Sequence, residues 1–272
     1  MSRAVLGPSG TFSEEAANNY WAEDYDGQVA NSIDELFFWL DNKRCSDILI
    51  PLENSQAGII ETSLINLVKY EVCIKGEINL PIKQSLLASQ PYQLEEIELL
   101  VSQLAVYGQC KEYINQFLSK ARTEITTSTT RAVQIVKEER KRAAAIAHNK
   151  AASLYDLHII TEDIQNSNNI TRFIHVAKVE PELFAADKAS LIFSLPDYPG
   201  SLSDSLKLFA KYSLNLTKII SSPDPKSADK YSFYLDIDIK DQINDFQNVL
   251  QELRLNGIMV KYLGAYNSIE AS

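Results

Sequence analysis

Short apolar runs of strand length alternate with longer segments of helical periodicity through residues 1–180, and no other feature of the chain restricts its fold as much. Arg3–Leu6 reads as a strand that passes through GPSG into a helix entered at Thr11. Thr11 with Glu14, and Ser32 with Glu35, have the spacing of a capping box, in which hydroxyl and carboxylate each accept an otherwise orphaned backbone N–H. SIDELFFWLDNK is then a helix, SDILIPL a strand, ENSQAGII a loop, ETSLINLVKY a helix, and VCIKGEINL and IKQSLLAS two strands. Residues 97–101 are strand-like, and Val106, Cys110, Tyr113, Ile114 and Phe117 fall at helical spacing to form one buried face. TTSTTRAVQIVKEE enters a helix through a hydroxyl-rich turn, AAAIAHNKAASLYDL is a strand running into a helix, and ITRFIHVAKV is a strand. This alternation predicts an α/β fold with a mainly parallel sheet, covered by helices on both faces and split into two lobes.

The periodicity lapses in VEPELFAADK, so a domain boundary is placed between residues 180 and 188. Residues 188–268 follow a different order: strand, helix, strand, strand, helix, strand. That βαββαβ order is the ferredoxin-like split βαβ. Within it Tyr231, Phe233, Leu235, Ile237 and Ile239 alternate with more polar residues, as a half-buried strand requires.

Composition excludes several classes of function. The 26 Lys+Arg against 36 Asp+Glu leave a net charge of −10, which argues against a nucleic-acid partner and would repel an anionic substrate unless the site supplies a local positive field. With 45% hydrophobic and 23% charged residues over 272 positions, the chain has enough apolar material for its own core. Cys45, Cys73 and Cys110 are widely spaced and form neither a disulfide framework nor a zinc ribbon. No run is long enough for a spanning helix, and MSRAVLGPSG lacks the apolar core of a secretory signal, so the expected location is the cytoplasm. His148, His158 and His175 show no metal-ligand spacing and read as surface or packing residues, and GPSG is neither a P-loop nor a dinucleotide fingerprint. Neither a metal nor a nucleotide cofactor is expected.

Three hydroxyl-rich turns stand at helix starts: Ser9, Gly10, Thr11 and Ser13; Asn54 and Ser55; and Thr127, Ser128, Thr129 and Thr130. Any one of these alone reads as ordinary capping. Together, on an α/β frame, they offer the partial positive charge of helix N-termini to carboxylate or phosphate groups. Ser102 and Gln109 are seven residues apart and share a face if the intervening segment is helical; that face lines a cleft or meets solvent. NITRF puts Thr171 and Arg172 at the mouth of an apolar strand, after Asn166, Asn168 and Asn169. An Arg there can clamp a carboxylate and a Thr can donate to a departing oxygen; the alternative is a turn with a surface Arg.

Five motifs, LGPSGTFSEEAA, IPLENSQAGII, STTRAVQIV, AAIAHNKAA and NNITRF, occur in an order that resembles prephenate dehydratase over nearly the whole chain. The resemblance implies a two-lobed catalytic domain of the type II periplasmic-binding-protein kind over 1–180, and an ACT regulatory domain over 188–268. It implies conversion of prephenate to phenylpyruvate, water and carbon dioxide in phenylalanine biosynthesis, without a cofactor. It assigns the essential threonine to Thr171. The substrate-binding residues it assigns are Glu53, Asn54, Ser102 and Gln109; with the turns and strand mouth above, the expected set also includes Ser9, Thr11, Ser55, Ser128, Thr129, Arg172 and Phe173. Control by L-phenylalanine would involve Pro199, Gly200, Ser201 and Leu202 of PGSL, with Ser221 and Pro223. ACT units pair edge to edge, which implies a homodimer or homotetramer.

The chain departs from the family pattern at several positions. Gln84 and Gln103 stand where histidine is common, Leu104 replaces a frequent proline, and Asn166 replaces a frequent aspartate. Ile220 and Ser222 stand where the ESRP motif of the ACT unit has glutamate and arginine. Arogenate as substrate and a non-catalytic small-anion or amino-acid sensor are the competing readings.

Overall fold

The computed structural model of the chain describes residues 2–22, 25–138, 142–166, 169–195, 198–224 and 227–271. Its strands form three sheets. The first lobe contains β1 (Arg3–Leu6), β2 (Gln28–Ala30), β3 (Asp47–Asn54), β4 (Gly58–Ile59) and β5 (Cys73–Pro81). The chain then builds a second lobe from β6 (Ser85–Ala88), β7 (Leu99–Gln103), β8 (Arg122–Thr126), β9 (Ala143–Ala147) and β10 (His158–Thr161), before β11 (Ile170–Ala177) returns to the first. The first sheet has the order β5-β11-β3-β1-β2 with β4 paired to β3, and the second β10-β6-β9-β7-β8.

The helices follow from simple patterning. In α2 (Ile33–Asp41), Ile33, Leu36, Phe37 and Leu40 recur at the period of one helical face and are buried, and Ser32 Oγ accepts the Glu35 N–H as its cap. In α6 (Thr129–Glu138), Ala132, Val133 and Val136 do the same against the second lobe's sheet. β9 is AAAIA and buried throughout, as a central strand between two layers requires. The other helices of the lobes are α1 (Phe12–Trp21), α3 (Glu61–Lys69), α4 (Leu104–Gln109), α5 (Lys111–Phe117) and α7 (Lys150–Tyr155).

The sheets are mixed rather than mainly parallel. Strands β1, β2 and β3 run parallel, but β11 is antiparallel to both β3 and β5, and β6 is antiparallel to β9 and β10. The cause is the excursion into the second lobe: β11 enters the first sheet from the far lobe and must run against its neighbours. Periodicity does not predict β2, β4, β8, β10 or the last strand at Ser268–Glu270; four of these are short, and β8 carries a polar pattern, RTEIT. The stripe from Val106 to Phe117 is broken at Cys110 into α4 and α5, which turns Phe117 outward to 46% exposure. Thr11 caps α1 without a side-chain bond; Glu14 instead accepts the Gly10 N–H at 2.5 Å.

The C-terminal unit is β12 (Lys188–Ser194), α8 (Ser201–Lys211), β13 (Asn215–Asp224), β14 (Ser227–Asp238), α9 (Ile243–Leu255) and β15 (Met259–Tyr266). Its sheet order β13-β14-β12-β15, antiparallel throughout, is ferredoxin-like. A last strand, β16 (Ser268–Glu270), leaves the unit and pairs parallel with β5 of the first lobe. Ile192, Tyr234, Leu263 and Tyr266 join Ile48, Ile50, Ile174 and Val176 in one buried cluster, so this sheet and the first lobe share a core.

Gly264 makes that close approach possible. Its φ is +130°, and a Cβ there would lie 2.5 Å from the Ile74 carbonyl oxygen on β5. Gly264→Ala is therefore expected to destabilise the protein by about 1–3 kcal/mol, read as a lower urea midpoint at unchanged slope. An unchanged midpoint would contradict this packing.

Candidate active site

A cavity of about 320 Å³ lies between the two lobes, inside the range of small-molecule sites. The first lobe contributes Ser9, Thr11, Pro51, Asn54, Thr171 and Phe173; the second contributes Gln103, Gln109, Thr129, Thr130, Val133 and His148. The N-terminal turns of α1 and α6 face it from opposite sides. Among the described residues that line it there is no Lys, Arg, Asp or Glu.

Its polar centre is built by the antiparallel pairing of β3 with β11. Thr171 stands opposite Asn54, and Arg172 opposite Glu53; the register then skips Leu52, so that Phe173 stands opposite Pro51. That bulge lets Pro51 and Asn54, three residues apart, both face the cavity with Thr171 and Phe173. Asn54 Oδ1 accepts the N–H groups of Gln56 and Ala57 at 3.0 and 2.9 Å, which fixes the side-chain amide. Its Nδ2 donates to Asn169 Oδ1 at 2.6 Å and to Thr171 Oγ1 at 2.9 Å. The Thr171 hydroxyl is therefore an acceptor toward Asn54, and its own proton remains available for a group in the cavity. Thr171 is only 7% exposed, so the hydroxyl acts away from bulk water.

Other residues named from the sequence stand elsewhere. Ser55 Oγ accepts the Ile170 N–H at 3.0 Å and fastens the end of β3 to the start of β11. Ser128 Oγ accepts the Arg131 N–H at 3.1 Å as the cap of α6. Ser102 is on β7, not on a helix with Gln109; it is fully buried and donates to the Gln103 carbonyl at 3.1 Å. None of the three lines the cavity.

Arg172 and Glu53 require a correction. A strand's period of two sends Arg172 to the face opposite Thr171, and the cleft clamp expected of it is absent. Arg172 Nε instead donates to Glu77 at 2.5 Å, Nη1 to Asp236, and Nη2 to the Tyr266 hydroxyl at 3.0 Å. Burial works against its charge, yet the surrounding Tyr234, Tyr266 and Asp236 oxygens hold the guanidinium more basic than usual. Burial likewise opposes ionisation of Asp236, but Arg172, Ser190 and Tyr234 keep its carboxyl below the usual range. Glu53 accepts from Lys218 on β13 and also faces away from the cavity.

Three cavity residues were missed or undervalued. The sequence reads His148 as surface or packing, but it lines the cavity, with Nε2 2.8 Å from Glu15 and Nδ1 accepting the Lys150 N–H at 3.2 Å. Burial raises the Glu15 pKa, but His148 together with Lys150 and Lys83 outweighs it and the carboxyl lies below its ordinary value. The usable signal was position, because His148 directly follows β9 at a strand mouth. Gln84 and Gln103, noted only as departures, both line the cavity, and Gln84 Nε2 lies 3.4 Å from Gln109 Oε1. Leu104 is exposed, and Asn166 holds the junction of α4 and α5 by accepting the Glu112 N–H at 3.0 Å. Asn168 lies outside the described residues.

In the C-terminal unit Gly200, at φ +96°, precedes α8, and Ser201 lines a separate cavity of about 170 Å³ with Tyr198, Asp204 and Asn256. Pro199, Leu202 and Ser221 do not line it, and the Pro223 side chain lies outside the described residues. Among the described residues no three of His, Cys, Asp and Glu gather as a metal ion would require, and no helix is long and apolar enough to cross a membrane.

Comparison with known proteins agrees with this arrangement. The family model for prephenate dehydratase matches residues 3–181. The chain is 32% identical to a prephenate dehydratase of Lactococcus lactis subsp. cremoris, over 98% of each protein. It is also 32% identical to a bifunctional chorismate mutase/prephenate dehydratase of Aquifex aeolicus, over 97% of this chain and 72% of the relative. The crystal structure of an Arthrobacter aurescens prephenate dehydratase in complex with L-Phe superposes with a TM-score of 0.85 at 27% identity, covering 98% of this chain and 90% of that one. The match spans both lobes and continues through the C-terminal unit, and the chain belongs to the prephenate dehydratase family.

Proposed function

We propose that the interlobe cavity is where this prephenate dehydratase binds prephenate, and that Thr171 assists departure of the ring hydroxyl. The reaction breaks the bond to the ring carboxylate, which leaves as carbon dioxide. Its electron pair moves through the ring, expels the hydroxyl group at the far carbon and makes the ring aromatic. The departing oxygen takes up a proton to become water, and phenylpyruvate remains. One observation carries the role of Thr171: Asn54 donates to its oxygen, which turns the hydroxyl proton away from Asn54. A threonine hydroxyl is a poor acid, so its part is a strong hydrogen bond to the leaving oxygen or relay of a proton as the bond breaks. Such assistance contributes about 10²–10⁴-fold in rate. The substrate's two carboxylates meet a cavity with no lysine or arginine among the described residues that line it, and the N-terminal turns of α1 and α6 are the positive ends that suit them.

The same reading makes the C-terminal βαββαβ unit an ACT domain that responds to L-phenylalanine. Its outer strand β13 leaves an edge through which two copies would pair, and the enzyme is read as a cytoplasmic homodimer or homotetramer. The test is phenylpyruvate formation by the purified protein without added metal, with arogenate as competitor, L-phenylalanine as effector, and the mass in solution measured on the same preparation. Turnover of prephenate that L-phenylalanine alters is the expected result. Preferred turnover of arogenate would reassign the substrate, and ligand-driven closure with no product would favour a sensor.

A further inference from the structure

We infer that the C-terminal unit positions the reacting residues of the cleft directly, through the two side chains next to Asn54 and Thr171. This inference rests on the reading of Thr171 given above. In the β3–β11 register Asn54 faces Thr171 and Glu53 faces Arg172. The first pair looks into the cavity. The second pair looks the other way, and each member is held by the C-terminal unit: Glu53 by Lys218 of β13, and Arg172 by Asp236 of β14 and Tyr266 of β15. Both strand ends that carry the reacting residues are thus gripped from behind by one rigid sheet.

The grip is directional. Glu77 accepts from Arg172 and, at 2.5 Å, from Lys188 of β12, so two cations balance two carboxylates in a cluster where Glu77 is 0% and Asp236 1% exposed. Apolar contacts tolerate sliding, whereas buried charge pairs lose their partners after a small displacement. Adjacent residues of a strand share a peptide plane, so a shift of the sheet that moves Glu53 or Arg172 must also reorient Asn54 or Thr171. Glu53, Arg172 and Lys218 are positioning residues on this account.

Lys218 is the clean handle, because it lies on β13 outside the cavity and its ion pair with Glu53 is about a quarter exposed on each side. Lys218→Met is expected to lower kcat about tenfold, part of the roughly 100-fold that a displacement of about 1 Å can cost, with KM changed less than about twofold. The double variant Glu53→Gln/Lys218→Met should be no slower than the worse single one, and the exchange Glu53→Lys/Lys218→Glu should recover most of kcat. Unchanged kcat in Lys218→Met, or simple additivity of the two single losses, would overturn the inference. Failure of the exchange to recover kcat would overturn it as well. Amide hydrogen exchange in the absence of substrate keeps the inference separate from the assigned reaction. Faster exchange near residues 54 and 170–172 in Lys218→Met upholds the grip even if the wild type makes no phenylpyruvate, and unchanged exchange there contradicts it.

Discussion

Replacing Thr171 by valine is expected to lower kcat for phenylpyruvate formation by about 10²–10⁴-fold and to leave KM close to that of the wild type. Valine keeps the shape and branching of threonine, and Asn54 retains its bonds to Asn169, Gln56 and Ala57, so the cavity wall stays in place. What disappears is the one hydroxyl whose proton Asn54 directs away from itself. Thr171→Ser, which keeps the hydroxyl but gains rotamer freedom, is expected to fall between the two. Steady-state kinetics on folded variants decides the matter: a valine variant within threefold or so of the wild-type kcat would remove Thr171 from the chemistry.

The second large effect is on stability. Arg172→Leu leaves Glu77 buried with Lys188 as its remaining cation and Asp236 buried against the hydroxyls of Ser190 and Tyr234, and unfolding should become easier by about 3–5 kcal/mol. For a chain of this length that corresponds to a melting temperature lower by roughly 6–20 °C. The deficit should depend on pH. In the wild type Asp236 sits below its unfolded pKa, so its stabilising contribution is present above about pH 4 and is lost as the pH falls below that. Without Arg172, burial dominates and the carboxyl moves up, a shift that favours the folded state at low pH and loses its benefit as the pH rises. The gap between variant and wild type should therefore narrow from pH 8 toward pH 4.5, as chemical denaturation would show. A gap that stays constant would mean that Asp236 does not depend on Arg172.

The two experiments concern neighbouring residues with different duties, and their difference locates the limit of sequence reading. Alternation of strands and helices, the lapse near residue 180 and the βαββαβ order were legible because apolar period and turn chemistry are local. The donor-rich turns at Ser9 to Ser13 and at Thr129 and Thr130 were legible for the same reason, and both line the cavity. Strand direction was not legible: β11 runs antiparallel to its neighbours because the chain has visited another lobe, a fact that no window of residues contains. The break between α4 and α5 and the return of β16 to β5 likewise depend on packing partners distant in sequence. His148 escaped notice because a lone histidine has no spacing to read, and only the closure of one lobe over the other puts it on the cavity wall.

The sequence by itself determined the main alternation of strands and helices, the βαββαβ order and the family, since each follows from periodicity or from a run of adjacent residues. Only the tertiary structure decided that Thr171 and Asn54 face the cleft while Arg172 and Glu53 hold the C-terminal sheet. The physical reason is that a strand hands successive side chains to opposite faces. Which face meets substrate and which meets protein is settled by what packs behind it.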